Sequence, residues 1–125
     1  MKLGEIYVWD TAKAQGHAKR RKFHIYICEH DSGDGGAFLY INSSDWFKDY
    51  LILQASYPTV LTHDSYVGCS AVTIYTPTEL KVVNPQLVGQ LSKADLKGLR
   101  DAIIAAETME QQDANYICKA LATAL

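Results

Sequence analysis

Strand-like periodicity in this 125-residue chain lies before residue 77, and sustained helical periodicity lies after residue 91. Strands followed by helices exclude the alternating pattern of a parallel α/β fold. They point to an α+β domain or a small barrel with appended helices. The first strand is read at "GEIYVWD" (4–10), where Ile6, Tyr7, Val8 and Trp9 follow a glycine. "KFHIYICE" (22–29) alternates, with Phe23, Ile25 and Ile27 on one face and His24, Tyr26 and Cys28 on the other. If the first set fills a barrel, His24 faces outward towards a groove. "AFLYIN" (37–42) is the third strand and "LILQA" a short one. "YVGCSAVTIYT" (66–76) reads as one strand in which Gly68 marks a bulge or sharp bend.

The remaining segments are read from turn chemistry. "HDSGDGG" is a turn whose glycines supply positive φ. "SSDWFKDY" starts a short helix or an irregular excursion, with Ser43 or Ser44 as N-cap. "PTEL" starts a turn, Pro85 breaks the following segment, and "LVGQL" leads into a helix. That helix carries the strongest local signal. Ser92 with Asp95 three residues on resembles a capping box, and Leu96, Leu99, Ile103 and Ala106 share one face. A second helix is expected from about Gln111 to the C-terminus, with Tyr116, Ile117, Ala120 and Leu121 apolar.

Length fits one domain, residues 1–125, with a barrel over about 3–83 and helices over about 92–125. The opening "MKLGEIYVWD" holds no apolar run long enough for a secretory leader, and no stretch reaches the ~20 apolar residues of a membrane helix. Cys28, Cys69 and Cys118 are odd in number and lack a C-x-x-C pair. That disfavours a disulfide framework and a structural zinc site, and favours a reducing cytoplasm.

Net charge, −2, says little about partners, but its distribution says more. Lys13, Lys19, Arg20, Arg21 and Lys22 fall within ten positions that hold no acid. The cluster sits in a long loop, "TAKAQGHAKRR", of a kind that is often functional in small domains. Two readings stand: a loop that grips phosphate at the mouth of a barrel, or a solvated hairpin.

The second half, "VLTHDSYVGCSAVTIYTPTEL" followed by "LVGQLSKADLKGLRDAIIAA", resembles the back half of the MazF/PemK toxin family. "LGEIYVWD" is similar to that family's opening strand, "KRRKFHIYIC" to its Arg-Pro strand, and "FLYINSS" to its third strand, over about residues 3–107 in all. The chain departs from the pattern twice. Arg21-Lys22 stands in place of Arg-Pro, and Gly35, Gly36 and Ala37 stand where a Thr or Ser begins the third strand. The resemblance implies an SH3-like β-barrel with C-terminal helices, usually a homodimer. It implies a toxin that cuts single-stranded RNA without metal or other cofactor and is neutralised by a cognate antitoxin. Structurally similar CcdB-type proteins poison gyrase instead, so one barrel hosts different activities.

RNA cleavage by the 2′-hydroxyl needs a proton acceptor, a proton donor for the leaving 5′ oxygen, and a cation against the crowded phosphorane. Arginine suits the last task, because its planar fork pairs with phosphate oxygens and keeps its charge. Arg21 is favoured as the clamp and Arg20 competes with it, while Lys13, Lys19 and Lys22 add backbone contacts. Histidine suits the proton transfers. His24, just after the basic loop, is the first candidate, against the plainer reading of a surface or interface residue. His63 in "THDS" is the second candidate, and His63 and Ser65 are RNA-contact candidates, against the reading that this segment only caps a turn. Ser43 and Ser44 either serve the phosphate or cap the next turn.

Two further motifs fail on chemistry. "HDS" cannot be a hydrolase triad, since three adjacent side chains diverge and no G-x-S-x-G exists. "DSGDGG" lacks the later bidentate Glu of a calcium loop. Tyr7, Trp9, Tyr26, Tyr40, Trp46 and Tyr57 supply aromatics, an exposed subset of which would stack on unpaired bases. The competing class is a non-enzymatic binding module on the same barrel: a gyrase-type poison, or a domain whose chemistry is lost.

Overall fold

A computed structural model describes residues 1–12, 19–30 and 35–125. The architecture is α+β: a curled antiparallel sheet with three helices. Its strands are β1 (Glu5–Thr11), β2 (Arg20–Glu29), β3 (Gly36–Asn42), β4 (Tyr50–Ile52), β5 (Ser65–Val67), β6 (Thr73–Tyr75) and β7 (Gln86–Gln90). Strand order is β4-β5-β3-β2-β1-β7, and β6 pairs with β3. The helices are α1 (Pro77–Val83), α2 (Lys93–Ala106) and α3 (Gln111–Ala122). No helix among the described residues is long and apolar enough to cross a membrane.

The alternation of β2 divides the molecule. Ile25 and Ile27 join Ile6, Leu39 and Ile41 in an aliphatic core completed by Leu96, Leu99, Ile103, Ile117 and Leu121 of α2 and α3. The opposite face holds Tyr7, Trp9, Tyr26, Phe38 and Tyr75, with Leu80 and Val83 of α1 against them. Non-directional burial of this kind contributes roughly 1.5–3 kcal/mol for each large side chain. Helix α2 starts as its sequence dictates: Ser92 Oγ accepts from the Asp95 amide at 3.1 Å, and Leu96, Leu99, Ile103 and Ala106 are buried.

Two segments differ from expectation. Residues 66–76 form two strands, both antiparallel to β3: β5 pairs with Ile41 and Asn42, and β6 pairs with Gly36, Ala37 and Phe38. The break begins at Gly68, whose amide still donates to Tyr40 O, whereas the next amide, of Cys69, donates to the Asp49 carboxylate instead. "PTEL" is the start of α1 rather than a turn. Thr76 Oγ1 accepts from the Glu79 amide and Glu79 Oε1 accepts from the Thr76 amide, a reciprocal cap with Pro77 in the first turn. "LVGQL" leads into the Ser92-capped helix as expected, and its residues 87–90 form part of β7, which pairs with β1. "SSDWFKDY" takes the irregular alternative and enters β4 at Tyr50. At the opposite end of β3, Gly35 has φ +109°, and a Cβ there would run into the carbonyl of Tyr75. Glycine therefore sets where β3 can lie beside β6.

Candidate functional site

Antiparallel pairing brings the start of β2 and the end of β3 to one end of the sheet, with Phe23 opposite Ile41. The pairing of Asn42 with Tyr66 brings the start of β5, and the loop before it, to the same place. The result is a cleft of about 310 Å³ lined by Arg20, Arg21, Lys22, Phe23, Ile41, Asn42, Ser43, Val60, Leu61, Thr62, His63 and Ser65. Six residues singled out from sequence (Arg20, Arg21, Lys22, Ser43, His63 and Ser65) therefore share one surface, although they span 46 positions of the chain from Arg20 to Ser65.

The cations are held differently. Arg20 and Arg21 are exposed, and Arg21 Nη1 lies 3.8 Å from the carboxylate of Asp10, its cross-strand partner. Both side chains are more than half exposed, so the pair is loose and its arginine can be drawn away by a phosphate. Lys22 is buried. Its ammonium donates to Asn42 Oδ1 at 2.6 Å and Ile41 O at 3.4 Å, and lies 5.2 Å from the centre of the Tyr40 ring. Burial, and then the nearby Arg20 charge, lower its pKa. Asn42 was not among the expected site residues. Its signal was its place in the alternation, on the Phe38–Tyr40 side of β3 and next to Ser43.

His63 is exposed at the cleft wall. Its Nδ1–H donates to Asp64 O at 2.9 Å, with Ser65 Oγ at 3.2 Å, and Ser65 Oγ donates to His63 O at 3.0 Å. With Nδ1 carrying the proton, Nε2 of the neutral ring is the basic nitrogen. Ser65 is buried, Ser43 is exposed and lines the cleft, and Ser44 and Lys19 are exposed outside the lining. Lys13 lies outside the described residues.

His24 does not face a groove. It is fully buried, stacked on Trp9 with ring centres 3.6 Å apart and planes 10° from parallel. Its Nδ1–H donates to Lys22 O at 3.0 Å, and Nε2 accepts from the Tyr75 hydroxyl at 3.3 Å. That hydroxyl also lies 2.7 Å from Thr11 Oγ1 and 3.4 Å from Tyr40 Oη. Burial pushes the His24 pKa down to about 3, outweighing the carbonyl bond that favours the charged ring. The expectation failed because alternation fixes which side of β2 a residue takes, not what covers that side. Here Trp9, β6 and α1 cover it.

The aromatics divide as well. Tyr7, Trp9, Tyr26 and Tyr57 are buried and Tyr40 is half-buried, whereas Trp46 is 75% exposed. No model of a known protein family matches the chain, and no curated protein matches it.

Proposed function

We propose that the cleft binds the phosphate backbone of single-stranded RNA, and that the chain is a metal-independent endoribonuclease of the toxin type on an SH3-like barrel. The observation that carries this reading is the convergence of Arg20, Arg21, Lys22, Ser43, His63 and Ser65 on one cleft. Arg21 exchanges its loose contact with Asp10 for a phosphate oxygen pair, which its fork fits better. Arg20 and Lys19 add long-range attraction, and Lys22 fixes Asn42 at the cleft floor. His63 takes the proton-transfer role first considered for His24. Its Nε2 receives the 2′-hydroxyl proton as the 2′-oxygen–phosphorus bond forms and the bond to the 5′ oxygen breaks. The leaving 5′ oxygen takes a proton from solvent water, and His63 gives its own up to solvent, leaving a 2′,3′-cyclic phosphate and a 5′-hydroxyl. Homodimerisation and a neutralising antitoxin belong to the same proposal through the family resemblance, and a cytoplasmic setting through the free cysteines Cys28, Cys69 and Cys118.

A second reading, binding without cleavage, is favoured by one specific observation. The imidazole on the basic strand is sealed beneath Trp9 and Tyr75, so it is not at the cleft surface to share the two proton transfers with His63. One experiment separates the readings: labelled single-stranded RNA incubated with purified protein in excess EDTA. Cleavage to cyclic-phosphate ends, lost in Arg21→Ala and lowered roughly 10²-fold in His63→Ala, supports the enzyme. Intact RNA bound with steep salt dependence supports the binding module. RNA that is neither cut nor bound overturns both.

A further inference from the structure

Seven positions of the chain, 43 to 49, separate β3 from β4, and they carry the more exposed of its two tryptophans. Trp46 is 75% and Phe47 52% exposed, whereas Trp9 is 2% exposed. The turn that presents them is clamped. The Trp46 amide donates to Asp49 Oδ2 at 3.0 Å and the Asp49 amide to Asp45 Oδ1 at 3.1 Å. Asp49 Oδ1 accepts from the Cys69 amide at 3.0 Å, tying the turn to the chain just past β5. Lys48 adopts φ 53°, a strained conformation for a lysine, and its ammonium lies 5.3 Å from the centre of the Phe47 ring. Three hydrogen bonds and a strained residue thus hold two large apolar rings in water, where burial elsewhere would be favoured.

The location identifies an occupant. Ser43 lines the cleft, and Trp46 follows it by three residues, so their Cα atoms are at most about 11 Å apart. Ser43 shares the cleft with Arg20 and Arg21, and Lys48 adds a cation at the Phe47 ring. The turn's own acids, Asp45 and Asp49, spend carboxylate oxygens on backbone amides. Flat rings beside cations are what an unpaired base with its phosphate requires. We infer that Trp46 and Phe47 form a stacking platform for the base next to the phosphate held in the cleft. The inference rests on the RNA-binding reading and adds to it a base-contacting subsite.

The test uses the full chain with three variants, Trp46→Ala, Trp46→Phe and Phe47→Ala, and two fluorescent probes. One is a 2′-O-methyl oligouridine, which resists attack by a 2′-hydroxyl, and the other is an abasic chain of the same number of phosphates. Trp46→Ala is expected to weaken oligouridine binding roughly 5- to 100-fold while leaving the abasic chain and the salt slope unchanged. Phe47→Ala weakens it less, and Trp46→Phe retains most of the affinity. Oligouridine also quenches tryptophan emission in wild type and not in Trp46→Ala. If wild type binds oligouridine with steep salt dependence and Trp46→Ala binds it equally, the platform is overturned and the cleft reading stands. If wild type binds neither probe, the cleft reading falls and the platform with it. A dimer that dissociates in Trp46→Ala with RNA affinity intact assigns the rings to a protein contact and also overturns the inference.

Discussion

The two faces of the sheet are made by the same strands from different chemistry. Beneath α2 and α3 the face is aliphatic, with Ile6, Ile25, Leu39 and Leu99 fully buried. The other face stacks Trp9, His24, Phe38 and Tyr75 around hydroxyls and an imidazole, with Thr11 and Lys22 also buried. Aliphatic packing needs only volume and shape, so it holds the fold without fixing any one polar atom. The aromatic face must in addition satisfy donors and acceptors, and each of its bonds is directional. Its hydrogen bonds run from Thr11 and Tyr75 to His24, and the Lys22 carbonyl at the chain's end belongs to a residue lining the cleft. One face therefore stabilises, and the other also positions.

The largest effect that separates them belongs to the aliphatic side. Leu99→Ala removes a fully buried side chain from α2 and is expected to cost about 2–5 kcal/mol in urea unfolding, with little dependence on pH. A loss within error of zero would show that α2 does not close the core.

The aromatic face should instead reveal itself through pH. The His24 pKa falls from 6.5 in the unfolded chain to about 3 in the fold, so between those values the unfolded state binds more protons. Stability then rises with pH across that window, and is lost on acidification at up to about 1.4 kcal/mol per pH unit. Above pH 6.5 the contribution is flat. Carboxylates share the low end of this window, and His24→Phe isolates the difference by keeping a ring on Trp9 that cannot titrate. Equal slopes for the two proteins between pH 4 and 6 would mean that the imidazole is charged or solvated in the fold.

A smaller effect should follow Tyr75→Phe, which keeps the ring between Trp9 and Phe38 and deletes the hydroxyl that donates to His24 Nε2. The expected cost is about 1–3 kcal/mol, because a buried ring nitrogen loses its donor. The pH slope should also change, since His24 loses a bond to its neutral form. Unchanged stability and slope would uncouple Tyr75 from the histidine.

How much of this was readable follows the range of the interactions. Helix α2 was legible because its cap and its apolar face are written within fifteen residues, from Ser92 to Ala106. The Thr76–Glu79 cap was written just as locally, yet Pro77 drew the reading towards a turn. The β5–β6 break was legible only as an irregularity at Gly68, because the group that takes the Cys69 amide, Asp49, lies 20 residues away. The cleft was legible residue by residue and not as an arrangement. Arg20, Ser43 and His63 meet only through the β2–β3 and β3–β5 registers, which a list of strands does not contain. His24 was misplaced for the same reason, since its cover comes from β1, β6 and α1.

The smallest stability effect is expected where the functional effect is greatest, at Arg21. Its side chain is 61% exposed, and its contact with Asp10 is a loose surface pair. Such pairs are worth about 0–1 kcal/mol, so Arg21→Ala should unfold at the wild-type midpoint within error. On the proposed reading the same variant abolishes RNA cleavage and weakens binding. Arg21→Lys restores charge without the fork and rescues poorly. Asp10→Ala removes the competing carboxylate and should tighten binding slightly. It also strengthens the contrast with Leu99→Ala, which loses stability while the cleft of the remaining folded molecules still binds. A charge reversal of Lys19 and Arg20 should weaken every RNA sequence alike and flatten the salt dependence, by about 0.7 in slope per lost phosphate contact. Full activity in Arg21→Ala would make the basic stretch a solvated hairpin and remove the cleft from the chemistry.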